Sequence, residues 1–196
     1  MTIMKYIITG LHSSGKREVI QDLKKDSSLR VGRTFNNISQ TIDGIYNIDS
    51  IYYNNNEINL IFENKSYIFL KEVTDYNIPF YTGLTKQEFD ICDVFVLTPD
   101  QFISIPSFPE DICVIWMDNN TMQRKQRYNS QKMFYDFRLR ENIEKEDSEE
   151  FMNKLYKTPN VHLIYFENED PVRVSAIIQA MHMHEDLIPL FESHYN

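Results

Sequence analysis

Gly10-Leu11-His12-Ser13-Ser14-Gly15-Lys16 is the stretch on which the reading of this chain turns. It fits the pattern G-x-x-x-x-G-K, and its flanks supply the context that turns a pattern into a physical site. Before it, Lys5-Tyr6-Ile7-Ile8-Thr9 is rich in β-formers; after it, Val19, Ile20 and Leu23 recur on one helical face, and Lys24-Lys25 close the segment. The order is strand, loop, helix. Glycines in such a loop let successive N–H groups turn inward, the helix N-terminus adds partial positive charge, and the lysine reaches the β- and γ-phosphates. Gly10, Leu11, His12, Ser13, Ser14, Gly15, Lys16 and the following Arg17 are therefore read as a triphosphate-binding loop, with Lys16 as its charged ligand. Arg17 stands where a Ser or Thr hydroxyl usually meets Mg²⁺, so the ion is expected to come with the nucleotide rather than from a protein site.

Working outward, Val94-Phe95-Val96-Leu97, Cys113-Val114-Ile115-Trp116-Met117 and Val161-His162-Leu163-Ile164-Tyr165-Phe166 are apolar without alternation. Continuous hydrophobicity marks strands buried on both faces, as in a parallel sheet covered by helices. A closing helix near 171–185 carries Val172, Val174, Ile177, Ile178 and Met181, and the tail from Pro189 reads as loose. Residues 29–90 read as short strands separated by Asn-rich turns such as Asn54-Asn55-Asn56; Asn59–Phe62 and Tyr67–Leu70 are expected to form a hairpin across Glu63–Ser66. The fold class that follows is α/β: a P-loop NTPase fold, its parallel sheet flanked by helices, with a small β-rich insertion. One domain spans 1–196, with a core at about 1–30 and 90–190 and the insertion at about 31–89.

Composition narrows the partners. Twenty-nine acids against twenty bases give a formal net charge of −9, which argues against wrapping nucleic acid or docking on an anionic membrane. The N-terminus runs from Tyr6-Ile7-Ile8 straight into Thr9-Gly10 without a signal-like apolar core, and no apolar run is long enough to span a bilayer, so the expected location is cytoplasmic. Cys92 and Cys113 lack a His or Cys at metal spacing and read as buried free thiols.

Beyond the loop, the order of features from about residue 4 to 183 resembles the guanylate kinase family. Leu29-Arg30-Val31-Gly32-Arg33-Thr34-Phe35 is similar to its arginine-bearing segment, and the resemblance implies that Arg33 grips the monophosphate. Glu63-Asn64-Lys65-Ser66-Tyr67-Ile68-Phe69-Leu70-Lys71-Glu72-Val73, followed by Tyr76-Asn77-Ile78-Pro79-Phe80-Tyr81-Thr82-Gly83, is similar to the family's monophosphate subdomain. It implies that Glu72 accepts from the guanine N1–H and amino group while Tyr81 and Thr82 bind the monophosphate. Asp93-Val94-Phe95-Val96-Leu97-Thr98-Pro99-Asp100-Gln101 resembles a family strand whose two acids are here Leu97 and Pro99, with Asp100 one position away. Arg124, Lys125, Arg127, Lys132, Arg138 and Arg140 form a basic cluster in an acidic chain. On one continuous helix Arg124, Arg127 and Arg138 fall within about 60° of each other. In the family a helical lid stands here, which the resemblance puts at about 121–142 beside a monophosphate-binding insertion at about 31–89. The lid's arginines close over the phosphates in transfer, which gives Arg124, Arg127 and Arg138 with Lys16 as the catalytic set. Phe166-Glu167-Asn168-Glu169-Asp170 resembles the family's turn beside the adenine.

The resemblance implies an ATP-dependent nucleoside monophosphate kinase acting on a purine monophosphate, GMP or dGMP, with Mg²⁺ carried by ATP, in a monomer or homodimer. The alternative is a catalytically impaired guanylate-kinase-like module that binds a nucleotide or a protein partner; Arg17, Leu97 and Pro99 favour it, and Lys16 favours the enzyme. An NTPase that drives some partner has less support, because no clear acid follows Val94–Leu97 at the strand end.

Overall fold

The computed structural model describes residues 4–25, 28–37, 50–75, 78–108, 111–130 and 148–191. Four strands, β1 (Lys5–Gly10), β6 (Val94–Val96), β7 (Ile112–Asp118) and β8 (Val161–Glu167), form a parallel sheet in the order β6-β1-β7-β8. Their side chains alternate between two cores. On one face Tyr6, Ile8, Cys113 and Ile115 meet Val19, Ile20 and Leu23 of α1 (Lys16–Leu23) and Val174, Ile178 and Met181 of α7 (Pro171–Met183). On the other, Ile7, Val114 and Trp116 meet Phe89 of α3 (Lys86–Ile91), Phe102 of α4 (Pro99–Ile103), and Phe151 and Leu155 of α6 (148–155). A strand buried on both sides has no solvent face to fill with polar residues, which is why these runs are apolar throughout. Cys92 and Cys113 are buried free thiols.

A second sheet is built entirely from residues 35–85: β3 (Ile51–Tyr52), β2 (Phe35–Asn36), β5 (Ile78–Thr85) and β4 (Tyr67–Asp75), in that order, with β4 and β5 antiparallel. Here the sequence expectation needs correction. Asn55–Glu63 is not the first arm of a hairpin but a helix, α2, and Asn54-Asn55-Asn56 is its entrance rather than a turn between strands. Asn54 Oδ1 accepts from the N–H of Asn56 and Glu57, and Glu57 Oε2 accepts the Asn54 N–H at 2.7 Å. This reciprocal capping satisfies the first backbone donors of a helix and outweighs the β-branched and aromatic residues that suggested a strand. The true partner of β4 is β5. Residues 188–191 form a short helix, α8, so the first part of the tail from Pro189 is ordered.

The segment between α1 and the second sheet is tied to the head of β6. Asp93, 2 % exposed, accepts hydrogen bonds from the Arg30 N–H and from Arg30 Nε and Nη2, fixing the segment that leads from α1 toward the second sheet. Burial works against its charge, but the Arg30 hydrogen bonds prevail and hold its carboxyl below the usual carboxylate range. Among the described residues no helix is long and apolar enough to cross a membrane.

Candidate functional site

The C-terminal ends of β1, β7 and β8 carry the loops that build the site, the usual position for ligands in open parallel sheets. β1 ends on Gly10, whose φ of 133° and closeness to β7 both require glycine: a Cβ there would lie 2.1 Å from the Met117 carbonyl oxygen. The chain then turns through Leu11–Ser14, closed by a Ser14 N–H to Leu11 O bond of 3.3 Å, and enters α1 through Gly15 at φ 101°. No side chain caps this helix start, so its first N–H groups are presented to the loop, as an anion requires. Lys16 lies across its own loop, its ammonium donating to Gly10 O and Leu11 O at 2.7 Å each and to Ser14 Oγ at 3.3 Å. Strand, turn and helix thus deliver a cation and the start of a helix without a side-chain cap to one point. His12 stands edge-on to Tyr128, with ring centroids 5.1 Å apart, and Arg17 projects outward from α1.

A buttress stands behind the loop. Asn119, just past β7, donates from Nδ2 to Ser14 O at 2.7 Å, and Arg127 of α5 (Thr121–Ser130) donates from Nη1 to Ser13 O at 3.3 Å. Arg124 is only 3 % exposed and its Nε donates to Asn119 O at 3.1 Å. Of the arginines expected to reach the phosphates, Arg127 therefore lies against the loop, Arg124 supports the residue that holds it, and Arg138 lies outside the described residues, as does the lid beyond residue 130. Beside the loop opens a cleft of about 220 Å³ lined by Leu11, Asp118, Asn119, Asn120, Arg124 and Glu167. Its rim is knitted by Tyr165 OH to Asp118 Oδ2 at 2.7 Å, Asn168 N–H to Asp118 O at 2.7 Å and Asn120 N–H to Asn168 Oδ1 at 2.8 Å.

The expected monophosphate residues do not converge. In the β4–β5 register Lys71 faces Thr82 and Glu72 faces Tyr81, so alternation puts the first pair on one face of the hairpin and the second on the reverse. The Lys71–Thr82 face turns toward α4: Lys71 Nζ pairs with Asp100 Oδ2 at 2.9 Å, and Gln101 Nε2 donates to Thr82 Oγ1 at 3.2 Å. Glu72 is exposed, and Arg33, also exposed, is held through its N–H to Glu88 Oε1 at 2.9 Å. The positions where the family's strand carries acids serve folding instead. Leu97 is fully buried, Thr98 and Gln101 form the capping box of α4, Pro99 opens that helix and Asp100 is committed to Lys71. Among the described residues no three His, Cys, Asp or Glu side chains are grouped to hold a metal ion.

Asn119 escaped the sequence reading. The available signal was a polar Asp118-Asn119-Asn120 break at the end of a fully buried strand, where parallel sheets place their ligand-facing residues.

No protein-family profile matches this sequence, and no curated protein sequence does. Among solved structures the chain is similar to a guanylate kinase from Anaplasma phagocytophilum, at 15 % identity and a TM-score of 0.54, over 93 % of this chain and 85 % of that one. It also aligns with a sugar kinase from Janibacter at 10 % identity and a TM-score of 0.44, over 98 % of this chain and 100 % of that one, a superposition too loose to argue from. The first likeness establishes the fold: mixed α/β and P-loop-kinase-like, with its parallel sheet flanked by helices.

Proposed function

We propose that this protein is an ATP-dependent nucleoside monophosphate kinase that transfers phosphate from ATP to a purine monophosphate, GMP or dGMP. The observation that carries the reading is the position of Lys16, its ammonium 2.7 Å from two carbonyls of a glycine-bounded loop at the uncapped start of α1. Lys16 exchanges those carbonyls for the β- and γ-phosphates, while the α1 amides take the remaining oxygens. Arg127, already against the loop, adds positive charge where it develops in transfer, with Arg138 as its candidate companion. Arg124 acts from behind, through Asn119. Among the described residues no three acidic or imidazole side chains are grouped as a Mg²⁺ site: position 17 is an arginine, and Leu97 and Pro99 stand at the β6 end where the family carries acids. The ion enters as part of MgATP, and no step here depends on a protein ligand to it. The acceptor lies on the hairpin face that turns toward α4 and the ends of the parallel strands, where Lys71 and Thr82 stand, because in-line attack needs the acceptor near the triphosphate.

The test is ADP release in a coupled assay with each monophosphate offered in turn. Turnover with a purine monophosphate above the ATP-only background is expected. ATP binding without turnover for any monophosphate would overturn the kinase reading. One observation favours a second reading, a nucleotide- or partner-binding module without transfer: Leu97, Thr98, Pro99 and Asp100 are all spent on core, cap or ion pair, leaving no carboxylate free at the β6 end.

A further inference from the structure

We propose that Asn119 is the positioning residue of the phosphate loop: its side-chain amide fixes the Ser14–Gly15 peptide so that the Gly15 N–H is turned toward the triphosphate. The inference rests on the nucleotide reading above and extends it. Asn119 is 4 % exposed, and its Nδ2 donates to Ser14 O at 2.7 Å. A trans peptide is planar, and its carbonyl and N–H point in opposite directions. Holding the Ser14 oxygen outward, toward the end of β7, therefore turns the Gly15 N–H the other way. Such an anchor matters most ahead of a glycine, which lacks the Cβ that would limit rotation of the peptide, and Gly15 sits at φ 101°.

The neighbouring contact cannot do the same work. Arg127 holds Ser13 O, but the amide at the other end of that peptide, the Ser14 N–H, is already taken by Leu11 O at 3.3 Å. Of these two side-chain contacts, the one to the Ser14 carbonyl is the one that aims an amide at the entrance of α1. Asn119 is itself held in place, because its carbonyl accepts from Arg124 Nε at 3.1 Å. The buried Arg124 thus acts on the phosphates at one remove.

The experiment is calorimetric titration of the full chain with ATP and with inorganic tripolyphosphate, which has the anion and no base. Wild type and Lys16→Ala are measured first, then Asn119→Asp and Asn119→Ala. Asp keeps the shape of Asn and replaces the donor with an acceptor. Both Asn119 variants are expected to lose about tenfold or more in affinity for the two ligands alike, the scale of one anchored hydrogen bond. Circular dichroism should stay that of the wild type. A folded variant that binds tripolyphosphate within about twofold of the wild type overturns the proposal. Loss for ATP alone also overturns it, since Asn119 would then touch base or sugar. If Asn119→Asp fails to fold, Asn119→Ala decides; unfolding of both would make Asn119 a core residue and overturn the proposal. Wild-type protein that binds neither ligand sinks the nucleotide reading itself and this inference with it, whereas wild-type binding unmoved by both substitutions sinks this inference alone.

Discussion

Gly10 and Met117 approach so closely across the β1–β7 ladder that a β-carbon on Gly10 would stand 2.1 Å from the Met117 carbonyl oxygen. That oxygen belongs to strand backbone and cannot give way without breaking the sheet. Gly10→Ala is therefore expected to cost about 3 kcal/mol or more, from clash and positive φ together. Urea unfolding checks it. Gly15→Ala shares the positive-φ strain, at 101°, but its Cβ would meet side-chain atoms, Arg127 Nη1 and Pro171 Cγ at 3.0 Å, rather than strand backbone, so its cost is expected to be smaller. That variant should fold and lose triphosphate affinity.

Lys16→Ala should weaken ATP binding about a hundredfold or more, the loss of charge-assisted contacts to phosphate. The melting temperature should move by only a few degrees, because the lysine bonds loop carbonyls and packs in neither core. Titration calorimetry and thermal melting, run on the same preparation, separate the two effects. Unchanged ATP affinity would remove the basis of the site.

The two faces of the β4–β5 hairpin make opposite predictions for the acceptor. Thr82→Val removes the hydroxyl on the face directed at α4, and is expected to raise the KM for the monophosphate about fivefold or more. Glu72→Gln, on the reverse face, should leave that KM within about twofold. The KM for ATP should be unchanged in both. The opposite ranking would place the acceptor on the Glu72–Tyr81 face.

The pH dependence of stability should carry the mark of Asp93. Its carboxyl titrates below its ordinary value of about 3.9, so the stability it adds is fully present above that value and is lost as pH falls through the folded-state pKa. Asp93→Asn is expected to be less stable by about 2 kcal/mol at pH 7. The gap between wild type and variant should narrow below about pH 4, as the wild-type carboxyl takes up its proton. Urea midpoints at pH 7 and pH 3 measure it, and a gap that stays constant would show that the Arg30 contact contributes through shape rather than charge.

How far the sequence could be read depended on the range of the interactions that decide each element. The turn between β1 and α1 was legible because Gly10, Gly15 and Lys16 act within seven residues, and the parallel strands because burial on both faces leaves an unbroken apolar run. α2 was missed although its cap was written in the sequence: Asn54 and Glu57 answer each other three residues apart, and Ile58, Ile61 and Phe62 hid them. On β4 the difference between Lys71 and Glu72 is one residue, and one residue changes the face of a strand. Asn119 meets Ser14 across 105 positions, a pairing that only the sheet creates.

The same sheet sets an order in time. Tyr6 of β1 lies between Val94 of β6 and Cys113 of β7, so the central strand leaves the ribosome first and its nearest partner follows roughly ninety residues later. During that interval Tyr6-Ile7-Ile8, buried in the finished protein, has no ladder to join. The second sheet, drawn wholly from residues 35–85, can close before the main one begins. The order of synthesis therefore makes the strands of the small sheet available first and leaves the Gly10–Lys16 loop without its β7 neighbour until Met117 has arrived.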